Sequence, residues 1–165
     1  MQIEQKVWSS EKGWRNVKGD SLEHSSLVLL FGSQDVLSRN DILENLKGWY
    51  GEAIFLGCTS ADEICNRNVY QNQLVSTAIY FENTRVIGTE TRINTTDESF
   101  NVGEKIGKYL DRKELAHILV LSEGLVVNGS ELTRGIRESV PSNVTISGGL
   151  AGDYYEFGQT HVMFN

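Results

Sequence analysis

The chain has 165 residues, of which 39% are hydrophobic and 22% charged, enough for one domain that buries roughly 70% of its unfolded surface without help from a metal or disulfide. Its 15 basic and 22 acidic side chains leave a net charge of −7, and the basic residues are scattered, which argues against a groove for nucleic acid or an anionic membrane surface. No run approaches the ~18 apolar residues of a membrane span, the start MQIEQKVWSSEKGW lacks the basic-then-apolar pattern of a secretory signal, and two cysteines are too few for a disulfide framework, so a cytoplasmic location is expected.

Along the chain, short continuous apolar runs end in small or polar residues. LVLLF at 27–31 runs into Gly32-Ser33-Gln34-Asp35, and AIFL at 53–56 runs into Gly57-Cys58-Thr59-Ser60. Between them Ile42, Leu43, Leu46, Trp49 and Tyr50 recur at helical spacing after a cap expected at Asn40 or Asp41. Residues 75–81 and 85–93 are rich in Thr, Ile, Val and Tyr and are separated only by Glu82-Asn83-Thr84. That gap is too short for a crossover helix, so an antiparallel hairpin is expected in the middle of the chain.

Phe100, Val102, Ile106, Tyr109 and Leu110 predict a second helix, with Asp97 near its start. HILVL at 117–121 then runs into Ser122-Glu123-Gly124. Leu132, Ile136 and Val140 mark a third helix that starts near Asn128 or Ser130 and stops before Pro141. VTI at 144–146 leads into Ser147-Gly148-Gly149, and 160–165 reads as a terminal strand, a hint that the sequence was cut from something longer. Continuous apolar runs suit strands covered on both faces. The expected fold is α/β: a mixed, largely parallel sheet with helices packed on it and the antiparallel hairpin in mid-chain.

In open α/β sheets ligands bind beyond the carboxyl ends of the strands. Four loops, after Phe31, Leu56, Leu121 and Ile146, share one edge if their strands are parallel. The densest is 147–153, with Gly148, Gly149 and Gly152 followed by Asp153; it is either a backbone cradle for a ligand or a tight bend. It lacks the lysine of a phosphate loop and the helix start of a dinucleotide site, so no cofactor is expected.

Thr59 or Ser60 is placed to cap a short helix carrying Asp62 and Glu63 in its first turn, where Cys58 would be either an activated thiol or, more commonly, buried structure. Cys65 reads as core. Glu123 is either a ligand carboxylate or loop surface. His24, His117 and His161 fall in no metal spacing, and the cysteines lack a C-x-x-C arrangement. Trp8, Trp14, Trp49, Tyr154 and Tyr155 read as core or rim packing.

Four segments in order, LVLLFGS (27–33), FLGCTSADEI (55–64), LVLSEGLVVNGSEL (119–132) and SGGLAGD (147–153), resemble the FIST N-terminal domain, a sensory domain of signal-transduction proteins. The resemblance spans about 26–164 and implies one sensory domain over 1–165, an N-terminal piece whose partner is a C-terminal FIST domain or a signalling output module. It also implies a small-molecule ligand, with amino acids the class proposed for the family. Asp62 stands where the family motif more often has glycine. The residues assigned to ligand binding are Cys58, Thr59, Ser60, Glu63, Glu123, Asn128, Gly148, Gly149, Gly152 and Asp153, with none catalytic and none binding metal. In an amino-acid site Glu123 or Asp153 would hold the amine and glycine N–H groups the carboxylate. The alternatives are an interaction module without ligand, and a hydrolase using Cys58 or Ser60 with His117 or His161 as base.

Overall fold

Strands β1 (Gln2–Ser9) and β2 (Gly13–Lys18) open the chain as an antiparallel hairpin in which Val7 faces Arg15 and Trp8 faces Trp14. The structure is a computed structural model that describes residues 1–153 and 158–165, so Tyr154 and Tyr155 lie outside the described residues. It divides into two compact units, Met1–Val86 with Gly152–Asn165, and Ile87–Ala151. Each unit is taken by itself below.

In the first unit, β3 (Leu27–Gly32) leads through the short helix α1 (Gln34–Leu37) and α2 (Asn40–Tyr50) to β4 (Ile54–Thr59). This crossover makes β3 and β4 parallel, with Leu27 beside Ile54 and Gly32 beside Thr59. The residue capping α2 is Arg39, one position before the expected Asn40 or Asp41, and its guanidinium grips Asp41 at 2.8 and 3.0 Å.

The hairpin of β5 (Glu63–Cys65) and β6 (Asn68–Tyr70) follows, then β7 (Leu74–Tyr80). The last strand of the chain is β10 (Val162–Phe164), numbered after the two strands of the second unit. The six-stranded sheet runs β10-β4-β3-β7-β1-β2.

Two expectations are corrected here. The mixed α/β sheet is present, but within these six strands only β3 and β4 are parallel; every other pairing is antiparallel. The mid-chain antiparallel hairpin is β5–β6, whereas 85–93 forms no strand. The reason is that β7 has no free edge: β1 covers one side from Gln2 to Trp8 and β3 the other from Leu27 to Gly32.

One face of this sheet buries Val28, Leu30, Phe55 and Ala78 against Val36, Leu37, Ile42, Leu46 and Tyr50 of the two helices. Leu30, Ile42 and Leu46 are completely buried, and each contributes roughly 1.5–3 kcal/mol by leaving water. The opposite face holds a smaller cluster of Val7, Cys65 and Val75, with Val17 and Tyr70.

Within the first core sits Glu4, 1% exposed. A buried carboxylate survives only when its oxygens find donors. Tyr50 Oη donates to it at 2.9 Å, the Leu22 N–H at 3.1 Å and Asn16 Nδ2 at 3.4 Å, and Lys6 pairs with it.

The second unit contains a 3₁₀ turn at Thr96–Glu98, α3 (Ser99–Leu110), β8 (His117–Ser122), α4 (Gly129–Glu138) and β9 (Thr145–Leu150). The pair β8–β9 is parallel, Ile118 beside Ile146. Thr95 and Glu98 form a capping box ahead of α3. Asn128 caps α4 as expected, its side chain accepting from the N–H groups of Ser130 and Glu131 at 3.1 and 3.2 Å.

The two helices cross closely. A Cβ on Gly103 would stand 2.2 Å from the Leu132 carbonyl oxygen, and one on Gly135 would stand 2.1 Å from that of Phe100. Ile118, Val127, Leu132, Ile136, Val140 and Val144 form the core of this unit.

Candidate functional site

Parallel pairing of β3 and β4 sends both chains out at the same sheet end, with Ser33 following one and Ser60 the other. Around them lies a pocket of about 250 Å³ lined by Ser33, Gln34, Asp35, Thr59, Ser60, Ala61, Gln71, Asn72, Gly152, Asp153 and Gln159. It occupies the crevice beyond the carboxyl ends of parallel strands, where backbone groups diverge and leave room.

The wall is held by main-chain hydrogen bonds. The Thr59 N–H donates to the His161 carbonyl at 2.9 Å, the Ser60 N–H to that of Gly32 at 3.2 Å, and the Gly152 N–H to that of Thr59 at 2.9 Å. The His161 N–H donates to Thr59 Oγ1 at 3.1 Å. Asp153 Oδ2 accepts from the N–H groups of Gly158 and Gln159 at 2.7 and 3.2 Å. Gln34 Nε2 reaches Gln159 Oε1 at 3.1 Å.

Behind the wall stands Glu63, 2% exposed. Ser60 Oγ donates to its Oε1 at 3.2 Å, while Oε2 is buried without a partner. Burial raises its pKa to about 7, the Ser60 hydrogen bond opposing the shift and the neighbouring Asp62 adding to it. The short helix expected after Ser60 is absent; the segment forms β5, which lets Glu63 and Cys65 alternate inward while Ile64 points out, 74% exposed.

Cys58 lies in β4, 4% exposed, and burial pushes its thiol up to about 11. Of the two readings open for Cys58, burial favours the structural thiol, since its thiolate is rare at neutral pH. Cys65 is core, as expected. Among the described residues neither Cys58 nor Ser60 hydrogen-bonds a histidine ring. The His117 ring instead meets Thr145 Oγ1 at 2.6 Å and Ser147 Oγ at 3.0 Å. No group of three or more potential metal ligands occurs among the described residues.

The remaining assigned residues belong to the second unit. Glu123 spends its carboxylate on its own loop, Oε1 accepting from the Leu125 N–H at 2.8 Å and Oε2 from that of Val126 at 2.5 Å. Gly148 and Gly149 lie within β9, opposite Val120 and Leu121. Gly148 has φ +155°, and a Cβ there would stand 1.8 Å from the Val120 carbonyl oxygen. Glycine at that position is accounted for by strand contact. With Asn128 these two glycines border an open trough of about 920 Å³ between β9 and α4, which Leu132, Ile146, Arg134 and Arg137 also line.

The structure thus gathers Thr59, Ser60, Gly152 and Asp153 around one pocket, with Glu63 one hydrogen bond behind it. It adds Ser33, Gln34 and Asp35, whose loop the sequence marks as a strand end, and Gln71, Asn72 and Gln159, for which no local signal exists. No helix among the described residues is long and apolar enough to cross a membrane. No curated protein and no solved structure matches the chain. The family model of the FIST N domain, a sensory domain of signal transduction, matches residues 26–165, and the chain belongs to that family.

Proposed function

We propose that this chain is a non-catalytic, cytoplasmic sensory module that binds a small metabolite, amino acids being the class implied by the family, in the pocket beyond β3 and β4. It would pass occupancy to a C-terminal FIST domain or an output module. The observation that carries this reading is the convergence of Thr59, Ser60, Gly152 and Asp153, assigned from separate segments of sequence, on a single concavity with Ser33 and Asp35. Its 250 Å³ lies just below the usual range for ligand sites and suits a compact metabolite. Glu123, Asn128, Gly148 and Gly149 would then serve the second unit's own loop, cap and strand contacts rather than that pocket.

A thermal-shift screen against amino acids and common metabolites tests it. A ligand at 100 times its Kd adds about 2.7 kcal/mol, which raises Tm by roughly 5–10 °C at this size. A saturable shift confined to one chemical class supports the proposal. A flat screen refutes it.

A second reading, an interaction module without ligand, is favoured by the outward pair Ile64 and Val69. They face each other across β5–β6 at 74% and 62% exposure. Replacing both with threonine would abolish partner capture under that reading and leave ligand shifts intact under the first.

A further inference from the structure

We propose that Glu63 is the positioning residue of the pocket beyond β3 and β4, its proton deciding whether the Ser60 hydroxyl meets that pocket as an acceptor or as a donor. This rests on the ligand-binding reading above and adds to it a control that answers to pH.

Ser60 lines the pocket, and Gln71 and Asn72 line it from a second loop. Glu63 is tied to both loops. Ser60 Oγ donates to its Oε1 at 3.2 Å, and the main chain of Gln73, next after Asn72, also favours its charged form. At 2% exposure the carboxyl has no bulk water to replace a missing donor. A carboxylate in such a place needs two or three good hydrogen bonds to stay ionised and otherwise keeps its proton. Burial accordingly raises the Glu63 pKa to about 7.

A hydroxyl both donates and accepts, and it rotates to suit its partner. With Glu63 ionised, the Ser60 proton points at Oε1 and Ser60 shows the pocket only lone pairs. With Glu63 protonated, the carboxyl donates to Ser60 Oγ and the Ser60 proton turns toward the pocket. One proton taken up behind the wall is exchanged for one donor in front of it. Above the midpoint the pocket then suits a ligand N–H or O–H at Ser60, and below it a ligand oxygen.

Other titrating groups surround the carboxyl. Asp62 is the neighbouring charge and acts in the same direction as burial. Tyr70 faces Glu63 across β5–β6, Cys65 shares its face of β5, and Lys18 acts on Cys65. The packed strand β7 carries no charged side chain and one titratable group, Tyr80, at its far end. Asp35 and Asp153 stand in the pocket lining, Asp153 accepting from Gly158 and Gln159.

The ¹³C,¹⁵N-labelled chain, with no added ligand, is titrated through neutral pH. The Glu63 carboxyl carbon reports its own proton and the Ser60 Cβ reports the hydroxyl; both should follow one midpoint at about 7. Ser60→Ala removes the hydroxyl and keeps the burial. The Glu63 midpoint should then rise by roughly 0.7 of a pH unit, because a hydrogen bond to an ionised group is stronger than one to a neutral group. Glu63→Gln should erase the neutral transition at Ser60. Asp35→Asn, on an exposed side chain of the lining, should leave it in place.

An unmoved or lowered Glu63 midpoint in Ser60→Ala overturns the inference, since the hydroxyl then has no preference for the charged form. A Ser60 transition that survives Glu63→Gln, or vanishes in Asp35→Asn, overturns it as well, because another group is turning the hydroxyl. Each of those results leaves the ligand-binding reading to the metabolite screen, and a flat screen beside an intact titration would refute that reading alone.

Discussion

Replacing Glu63 with glutamine isolates the consequence of a carboxylate folded into a nearly dry place. Its pKa rises from an ordinary 4.5 to about 7 on folding because burial disfavours the charged form. A raised carboxyl pKa means the native state holds its proton more tightly than the unfolded chain. The stabilising contribution is complete below pH 4.5, shrinks as pH climbs from 4.5 to about 7, and is gone above that. Two and a half pKa units correspond to about 3 kcal/mol, the amount by which Glu63 destabilises the fold at pH 8 relative to pH 4.5.

Glutamine keeps the shape and the hydrogen bond to Ser60 but cannot ionise. Urea unfolding should therefore give Glu63→Gln about the same stability as the parent at pH 4.5 and about 3 kcal/mol more at pH 8. Tryptophan fluorescence is the natural probe, because Trp8, Trp14 and Trp49 all lie in the unit that contains Glu63. Other titrating groups cancel in the comparison of the two proteins at each pH. A variant that is equally stable at pH 8, or that loses stability at both pH values, would refute the reasoning, since the first denies the buried charge and the second reveals donors to Oε2.

Two further outcomes follow from close packing. Gly103→Ala forces the α3–α4 crossing apart, because its Cβ would stand 2.2 Å from the Leu132 carbonyl oxygen; a loss of about 2–4 kcal/mol is expected, read by circular dichroism as earlier melting of helix. Cys58, 4% exposed and with its thiol raised to about 11, should resist a thiol reagent at pH 7.5 in native protein and react at an ordinary rate in urea, and rapid labelling of the native chain would contradict its burial.

The parts of the fold readable from sequence share one property: their signal is local. Runs at 27–31, 53–56, 117–121 and 144–146 all became strands, and the periods around Ile42, Ile106 and Ile136 all became helices, since apolar spacing reports which side of an element faces a core. The start QIEQKVWS carries no such run, yet it forms β1 inside the sheet, because its polarity is matched by partners from afar. Glu4 is buried there only because Tyr50, Leu22, Asn16 and Lys6 arrive to satisfy it. Residues 85–93 show the converse, strand-like composition with no available edge on β7.

The candidate site divides along the same line. Composition marked Thr59, Ser60, Gly152 and Asp153 as loop chemistry at strand ends, and the four quoted segments placed the chain in its family, since small residues at strand ends are a local requirement of backbone approach. Which loops meet is a property of pairing. The parallel register of β3 and β4 brought Ser33 and Asp35 beside Ser60, and the return of β10 along β4 brought Gly152 and Gln159 there. The alternation of β5 turned Glu63 inward as a nearly dry carboxylate. Sequence alone determined the elements with a continuous apolar run or a helical period, the family and the residue types at strand ends. Tertiary structure decided which of those residues share a pocket and which are buried, because strand pairing and burial are settled only by neighbours distant in the chain.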